Sequence, residues 1–305
     1  MRVLITGASG FVGRALTRSL SEAGFHVRAA ARNRARIPAA EFVELVPLPD
    51  LSRPVDWRPL LADVDAIVHL AGIAHVSRDI PDAHYDRVNR LATKELALQA
   101  SLMPNIRRLV FISSIRAQTG PGAVHVLTED DPPAPSDAYG RSKLAAEAFV
   151  RGYGAPYTIL RPVVIYGKEA RANVGQLVRL ARLPLPLPFG AFNKKRSLLA
   201  IENMLSAIRF VLERPVTAGQ SYIVADPLPV SLAEMITTLR QARGRSPKLV
   251  SLPQGLVGAT LRGVGRTDAW ERIGTSLVAD IAKLREAGWV PPTDTRTALA
   301  NIVRK

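Results

Sequence analysis

The stretch RVLITGASGFVG, residues 2–13, sets the start of the fold. Its first five residues predict a buried strand, and an apolar stripe of helical period follows and ends before Gly24. A glycine turn between a strand and a helix leaves backbone N–H groups open at the helix N-terminus, which is what a dinucleotide pyrophosphate requires. A tight turn without a ligand is the alternative. We expect cofactor contacts at Gly7, Gly10, Phe11, Val12 and Gly13.

Strand-like runs and helical patterns alternate through the first half of the chain. The runs after the first strand are HVRAAAR, FVELVPLPDL, VDAIVHLAG, RRLVFISS and YTILRPVVIYG. This alternation predicts an α/β fold, a Rossmann-type doubly wound parallel sheet. Beyond Gly167 the pattern loosens, and LARLPLPLPFG carries too many prolines for a helix interior. We expect an NAD(P)-binding domain at residues 1–167, rejoined by 199–226, and a smaller carboxyl-terminal substrate lobe at 168–198 and 227–305.

The composition sets limits on function. The chain has 305 residues and no cysteine, which excludes disulfides and thiolate chemistry and fits a cytoplasmic location. We expect neither a secretory leader nor a membrane span. The net charge of +15 could serve nucleic acid, an anionic membrane surface or a phosphate-bearing ligand. Because the arginines are scattered along the whole sequence, we expect no nucleic-acid partner.

The end of the second strand favours a phosphorylated cofactor. It reads Ala31-Arg32, where an acid would hold the ribose 2′-hydroxyl of NAD. An arginine fork can instead hold a 2′-phosphate, so the sequence favours NADP(H), with NAD(H) as the alternative. Asp50, which with Leu51 ends the third strand, is expected to reach the adenine amino group, although a plain turn aspartate is nearly as good an interpretation.

A tyrosine and a lysine lie four positions apart in SDAYGRSKLAAE, residues 136–147. This spacing puts Tyr139 and Lys143 on one face of a helix. A phenol is a weak base at neutral pH, and a nearby ammonium together with a positive nicotinamide ring should lower its pKa. Tyr139 could then exchange a proton with a carbinol or carbonyl oxygen while hydride moves on carbon. The strand RRLVFISS ends in Ser113 and Ser114, and a hydroxyl there could orient the phenol.

Two further groups of residues carry weaker signals. Histidines and aspartates cluster between positions 69 and 84, but their spacing matches no ligand pattern, so no metal is expected: they are His69, His75, Asp79, Asp82 and His84. His75 could also line a substrate mouth. Trp270 and Trp289 are expected in the core of the lobe rather than as stacking platforms.

Several blocks together resemble the extended short-chain dehydrogenase/reductase family. They are TGASGFVG, Asp50-Leu51, HLAG at 69–72, VFISS at 110–114, YGRSK at 139–143 and LRPVVIYG at 160–167. They stand in the family's order from the start of the chain to about residue 203. Within the family, FISSI and EDDPPAPSDAYGRSK resemble the bacterial branch of UDP-glucose 4-epimerases and UDP-4-keto-6-deoxy-N-acetylhexosamine reductases.

The resemblance implies roles for particular residues. The catalytic set would be Ser114, Tyr139 and Lys143, with Ser113 as the alternative serine. The implied cofactor contacts beyond the glycine turn are Leu70, Ala71, Gly72, Asn89, Tyr139, Lys143 and Pro162, the last preceded by Arg161. Asn173 and Arg196 would hold the UDP moiety, and the basic run Lys194-Lys195-Arg196 suits a diphosphate, with a solvated loop as the alternative. The chain departs from the family at Ala117-Gln118-Thr119-Gly120, which puts substrate contacts from that loop in doubt.

The resemblance implies hydride transfer at C4 of a UDP-linked sugar, as in polysaccharide biosynthesis. Ala31-Arg32 favours a 4-ketosugar reductase that exchanges NADPH over a 4-epimerase that retains NAD. A dehydratase, another carbonyl reductase and a non-catalytic cofactor-binding sensor remain open. A homodimer is expected.

Overall fold

The computed structural model describes residues 1–37, 40–73, 80–169, 173–253, 255, 258–259 and 274–304. A seven-stranded parallel sheet forms its centre. Its strands are β1 (Arg2–Thr6), β2 (His26–Ala31), β3 (Val43–Pro47), β4 (Ala66–His69), β5 (Arg108–Ile112), β6 (Tyr157–Pro162) and β10 (Gln220–Val224). They lie in the order β10-β6-β5-β4-β1-β2-β3. This is a Rossmann-type α/β fold, and the predicted fold class is confirmed.

Helices cover both faces of this sheet. The longer ones are α1 (Phe11–Glu22), α4 (Ala92–Ser101), α5 (Ala138–Gly152), α6 (Asn173–Arg182), α7 (Ile201–Glu213) and α8 (Leu232–Gln241). The shorter ones are α2 (Arg58–Leu61), α3 (Asp82–Tyr85), α9 (Ala282–Glu286) and α10 (Thr295–Asn301). A π-helical segment, Asp86–Leu91, joins α3 to α4.

The strands are apolar without alternation because both faces are covered. Val3 and Ile5 of β1 pack into a core with α1 and α7, whereas Leu4 points the other way into a core with α4 and α5. The register pairs Thr6 of β1 with Ala30 of β2 and with His69 of β4. The strands therefore end at one level, and the segments that follow them share the carboxyl edge of the sheet.

Short strands and two small cores build the rest of the molecule. The strands are β7 (Val164–Tyr166), β8 (Lys195–Arg196), β9 (Leu198–Ala200) and β11 (Val230–Ser231), paired as β7-β9 and β8-β11. One small core gathers Tyr166, Met235 and Leu299, and the other gathers Phe192 and Ile236. The return of the chain to the sheet through β9, α7 and β10 follows the sequence pattern, while the division into two domains stays a prediction.

Three details differ from the expectation. Strand β3 ends at Pro47, before Asp50, and the run YTILRPVVIYG is interrupted at Val163 between β6 and β7. Trp289 is buried, but in the core of the main sheet, where its Nε1 donates to Ser206 Oγ at 3.2 Å. Its assignment to the lobe core was wrong because the segment with α9 packs on β10.

Trp270 lies outside the described residues. Within the described part of the chain, no helix is long and apolar enough to cross a bilayer.

Candidate active site

The glycine turn between β1 and α1 is closely packed and uncapped. Gly7 has a φ of +74°, and a methyl group there would lie 2.9 Å from the amide nitrogen of Ala71. A methyl group at Gly13 would lie 2.3 Å from the carbonyl oxygen of Gly7. Among the described residues, no side chain caps α1 at Gly10, so its first N–H groups and the positive end of its dipole are open to an anion. The residues present therefore fit a dinucleotide pyrophosphate.

The next two residues of α1 hold this turn in place. Val12 packs on the core of the sheet. The ring of Phe11 reaches Gly167 after β7, where an added methyl group would lie 3.1 Å from Phe11 Cζ. The first residue of α1 is thus in contact with the segment that follows β7.

Arg32 and Asp50 lie close together beyond the ends of β2 and β3. Asp50 is exposed, and its Oδ1 accepts hydrogen bonds from the N and Oγ of Ser52 at 3.0 and 2.8 Å. These bonds, followed by the charges of Arg53 and Arg32, hold the pKa of Asp50 below its ordinary value. Leu51 is buried beneath. An arginine and a turn aspartate thus stand where the ribose end of a cofactor would be expected, and their binding roles stay predictions.

Lys143 is enclosed under the carboxyl edge. Its Nζ donates to the carbonyl of Ile112 at 2.7 Å and lies 4.6 Å from the ring centre of Phe111. Burial lowers the pKa of Lys143 to about 8. The amine is thus held by β5 instead of being free on the helix surface.

Asn89 and Gly72 meet Lys143 at this edge. Asn89 lies in the π-helical segment, and such segments often mark functional sites. Its Oδ1 accepts from Ile73 N at 2.8 Å, and its Nδ2 donates to Ser142 Oγ at 3.1 Å. A methyl group at Gly72 would lie 2.7 Å from Asn89 Oδ1 and 3.9 Å from Lys143 Nζ. The segment after β4, the π-helical turn and α5 therefore converge.

The residues around Gly72 complete this edge. Ala71 N is bonded to Thr6 Oγ1 at 3.2 Å, and Leu70 packs against the core. Pro162 lies at the end of β6. The residues from Gly7 to Pro162 that are predicted to contact the cofactor thus lie along one edge of the central sheet.

Tyr139 is buried near the start of α5, with a side chain that bonds to Ser114. Its ring meets that of Tyr85 edge to face, with the centroids 6.3 Å apart. Burial raises the pKa of Tyr139, and the hydrogen bond with Ser114 offsets this only in part. The expected lowering of this pKa is wrong for the protein by itself, because desolvation outweighs the favourable groups and the Lys143 ammonium bonds to Ile112 instead.

The two adjacent serines face different partners. Ser114 bonds to Tyr139, and its Oγ also accepts from Arg116 N at 3.1 Å. Ser113 donates to the buried Oε1 of Glu147 at 2.6 Å. Of the two serines considered from the sequence, Ser114 is the one beside the phenol.

A buried charged network behind α5 was missed at the sequence level. The carboxylate of Glu147 is fully buried and accepts from Arg161 Nε at 2.9 Å and Nη2 at 2.7 Å. Arg161 Nη1 also donates to Gln118 Oε1 at 3.1 Å. Gln118 itself is buried, and its amide nitrogen donates to the carbonyl of Thr128. The available signal was the position of Glu147, one helical turn beyond Lys143 on the same face.

The start of α5 is tied to the loop after Ser114. Asp137 caps the helix by accepting from Gly140 N at 2.7 Å, and Arg116 pairs with the same carboxylate. A methyl group at Gly140 would lie 2.2 Å from the carbonyl oxygen of Arg116. A residue without a side chain lets the phenol and the serine approach each other.

Of the two residues expected to hold UDP, Arg196 is the one whose side chain is described. Arg196 Nη1 donates to Thr275 O at 2.9 Å, and its Nη2 donates to Pro121 O at 3.1 Å. Asn173 begins α6, but its side chain lies outside the described part of the structure, as does His75. The substrate roles of these residues stay predictions.

His69 is a buried structural residue. Its ring nitrogens lie 2.7 Å from Thr6 Oγ1 and 3.0 Å from Thr93 Oγ1. Burial, with a smaller effect of the Lys143 charge, lowers its pKa to about 3, so the ring is neutral. Among the residues with described positions, no three potential ligands gather around a common point.

An open glycine turn and a serine–tyrosine pair on one sheet edge define a class of dinucleotide-dependent oxidoreductases. The profile of the NAD dependent epimerase/dehydratase family matches residues 3–225. The chain belongs to this family, and the resemblance to extended short-chain dehydrogenases is confirmed.

Two relatives agree with the family assignment, and one solved structure agrees with the fold. The UDP-glucose 4-epimerase of Vibrio cholerae is 33% identical over 303 residues, which cover 95% of this chain and 90% of the relative. A 4-hydroxy-2-methyl-3-oxo-4-farnesyl-3,4-dihydroquinoline-1-oxide ketoreductase of Stigmatella aurantiaca is 27% identical over 263 residues, 83% of this chain and 76% of the relative. The Bacillus cereus UDP-glucuronic acid 4-epimerase, solved with UDP-glucuronic acid and NAD, superposes with a TM-score of 0.77 over 99% of both chains at 19% identity.

Proposed function

We propose that this chain exchanges hydride at C4 of a UDP-linked sugar and that the net reaction is 4-epimerisation. The observation that carries the proposal is the Ser114–Tyr139 pair beside Lys143 and Asn89, on the sheet edge that the glycine turn shares. The Vibrio cholerae relative supports a UDP-hexose as the substrate class. Because this relative is a 4-epimerase, we prefer epimerisation to the reductase activity that Arg32 favours.

Each side chain of the site has a separate task in the chemistry. Tyr139 takes the proton of the C4 hydroxyl as the C4–H bond breaks, and it returns that proton when the C4 ketone is reduced from the opposite face. Ser114 donates to the C4 oxygen and holds the phenol in line. A bound nicotinamide supplies the hydride acceptor and then the donor. Atoms and electrons balance over the two half-reactions, and no outside reductant is consumed.

The electrostatics explain why the phenol needs help. Tyr139 is protonated at neutral pH, because the ordinary pKa of a phenol is about 10 and burial raises the pKa further. Positive charge close to the oxygen is therefore needed before Tyr139 can act as a base. In the protein by itself, Arg116 is the cation whose charge lowers the pKa of Tyr139. We assign the same task to Lys143 when a cofactor is bound, with the carbonyl of Ile112 fixing the position of its amine.

A 4-ketosugar reductase that uses NADPH is the second candidate. The observation that favours it is the exposed Arg32 at the end of β2, where an acid would exclude a 2′-phosphate. The Stigmatella aurantiaca ketoreductase supports reduction as an activity within reach of this fold. A reductase would release its cofactor after each turnover, whereas an epimerase retains it.

The decisive experiment identifies the nucleotide released when the purified protein is denatured and assays both reactions. Epimerisation predicts released NAD and interconversion of UDP-glucose with UDP-galactose, or of UDP-GlcNAc with UDP-GalNAc, without added cofactor. Consumption of NADPH with a UDP-4-keto-6-deoxy sugar, with no interconversion, would select the reductase instead.

Tyr139→Phe and Ser114→Ala test the assignment of the site residues. Each should lower kcat by a factor of about 100 or more, with dinucleotide affinity retained. Tyr153→Phe, at the far end of α5, and Ser101→Ala, at the end of α4, are the controls, because both residues lie away from the carboxyl edge of the sheet. An unchanged kcat in Tyr139→Phe would contradict the role of the phenol. A biological activity that Tyr139→Phe leaves untouched and Gly10→Asp abolishes would instead favour the sensor that lacks catalysis.

Arg32→Asp tests the cofactor. If Arg32 holds a 2′-phosphate, the wild type binds NADPH more tightly than NADH, and the variant reverses the order. Equal affinities in the wild type would remove the basis for the reductase. Arg58→Asp, a change of the same charge at an exposed site, is the control.

A further inference from the structure

Two stretches of the sequence lack acidic residues altogether. Residues 170–201 and 235–267 contain no aspartate or glutamate, although the chain has 26 acids. Their described parts lie side by side: Leu187 N donates to Lys248 O at 3.0 Å, and Val250 N donates to Leu187 O at 2.9 Å. Arg245 also donates to the carbonyl of Arg182. The described basic residues near this contact, Arg182, Arg245 and Lys248, therefore lie together on one surface.

A single buried arginine fixes these two stretches together. Arg240 is 1% exposed, and its guanidinium donates to the carbonyls of Leu183 and Leu185 on one stretch and of Pro247 and Lys248 on the other. A planar fork that holds four carbonyls leaves little freedom between the segments. The two stretches therefore present a surface whose shape is fixed before any partner binds.

This surface mixes cations with exposed aliphatic side chains. We call it the basic ridge and define it by Arg182, Leu183, Leu185, Arg245, Lys248 and Val250. Leu183, Leu185 and Val250 are 45%, 63% and 45% exposed. Isolated exposed aliphatic residues are ordinary, but here three of them lie close to Arg182, Arg245 and Lys248, which make no ion pair with any described residue.

A hollow lined by arginines adjoins the ridge at Arg182. It has a volume of about 700 Å³ and is lined by Arg182, Arg243, Ile302 and Arg304, among others. The Nε of Arg243 is buried and makes no hydrogen bond within the described structure. Burial, followed by the charges of Arg182 and Arg245, lowers the pKa of Arg243. Several guanidinium groups without an acid between them suit a phosphate.

We propose that the basic ridge and the hollow beside it dock this protein on a bilayer that contains anionic phospholipid. The leucines enter the boundary between headgroups and acyl chains, and the arginines bind lipid phosphates. This inference goes beyond the proposed function and does not rest on it.

Other occupants fit this surface less well. Bases of a nucleic acid stack on aromatic rings, whereas the exposed apolar residues of the ridge are aliphatic. A second copy that packed ridge to ridge would bring like charges together. Pro184 and Pro186 have no N–H groups, which opposes the addition of a foreign strand at this edge.

The test is flotation of the full chain with vesicles of phosphatidylcholine alone or with about 30% phosphatidylglycerol, since anionic lipid attracts basic residues by about 1 kcal/mol each. The wild type should float only with the anionic vesicles, and about 0.5 M salt should release it. Arg182→Gln with Arg245→Gln, and separately Leu185→Ser, should weaken binding about tenfold or more.

Matched controls separate the ridge from general charge and hydrophobicity. Arg58→Gln with Arg285→Gln removes the same charge elsewhere, and Leu102→Ser changes a leucine that is 72% exposed; both should bind like the wild type. Equal binding to both vesicles, no binding to either, or equal losses in the controls would overturn the proposal. So would a dimer that Leu185→Ser dissociates, or an RNA that displaces the vesicles. If one ridge variant fails to fold, the other ridge variant, compared with its own control, decides.

Discussion

Glu147, on the buried face of α5, keeps a full negative charge inside the protein. Burial alone would raise its pKa, but the hydrogen bonds and charge of Arg161 and the bond from Ser113 outweigh burial and hold the pKa below its ordinary value. Arg151 adds a further contact at 2.8 Å. Because Ser113 precedes Ser114 and Arg161 precedes Pro162, this one carboxylate fixes two strand ends that border the site.

Glu147→Gln should strongly destabilise the fold, because it leaves the guanidinium of Arg161 buried without an anion. The expected loss of unfolding free energy is about 3–5 kcal/mol, measured by urea denaturation at pH 7. Glu213→Gln, which breaks the exposed pair with Arg209, should cost less than about 1 kcal/mol. Glu147→Leu combined with Arg161→Met should recover much of the loss, and a double variant as unstable as the single one would contradict this account.

Lys143 gives a pH dependence whose sign follows from its lowered pKa. Below pH 8 the folded and unfolded chains both carry the charge, so the burial penalty is present in full. Between pH 8 and 10.5 the folded chain sheds its proton first, so this penalty is relieved and the wild type gains stability from this group as pH rises.

Lys143→Met should therefore stabilise the chain at pH 7 while it abolishes activity. The gain is at most on the order of 3 kcal/mol, reduced by about 1 kcal/mol for the hydrogen bond that Ile112 loses. The difference from the wild type should shrink as pH rises from 8 to 10.5, as followed by urea unfolding. Lys194→Met, at an exposed amine, is the control for the loss of a lysine, and a gap that widens with pH for Lys143→Met would refute the assignment.

At the scale of elements, the start of α5 decides whether the phenol meets the serine. Gly140→Ala should push this helix end away from the Arg116 carbonyl, since the added methyl group would lie 2.2 Å from that oxygen. We expect a melting temperature several degrees lower and a kcat at least about tenfold lower. Gly152→Ala, at the other end of α5, meets no described atom within 4 Å and should be neutral or slightly stabilising. Equal effects of the two changes would contradict the model of a close helix approach.

The sequence predicts elements well where one local rule governs them. The glycine turn, the Tyr139 helix and the short strand before α7 follow from apolar period and turn chemistry. Prediction from the sequence fails where a side chain has more than one possible hydrogen-bond partner. The sequence VFISS does not indicate which of its serines bonds to Glu147. The spacing of Tyr139 and Lys143 likewise does not indicate that the amine bonds to a backbone carbonyl instead of the phenol. These hydrogen bonds depend on segments that are distant in the sequence, as in the bond from Arg161 on β6 to Gln118.

At the scale of the whole molecule, a buried polar joint ties the last helix to the end of the main sheet. Asp226 follows β10 and accepts from Ala200 N at 2.8 Å, Tyr166 Oη at 2.7 Å and Asn203 Nδ2 at 2.6 Å. Asn203 also exchanges two hydrogen bonds with the backbone of Thr293, just before α10. The carboxyl-terminal segment therefore docks through polar contacts, which a hydrophobic pattern does not reveal.

Asn203→Ala should release this joint without touching the candidate active site. The change leaves an oxygen of Asp226 and both backbone groups of Thr293 without their partner, at about 1–3 kcal/mol for each group that stays buried. Hydrogen exchange should quicken in residues 293–301, while β1 amides keep their protection because the central sheet is intact. Asn193→Ala, at an exposed position, is the control and should leave both regions unchanged. If β1 lost protection together with α10, the joint would belong to a single cooperative unit with the sheet, and the docking of α10 as a separable step would be wrong.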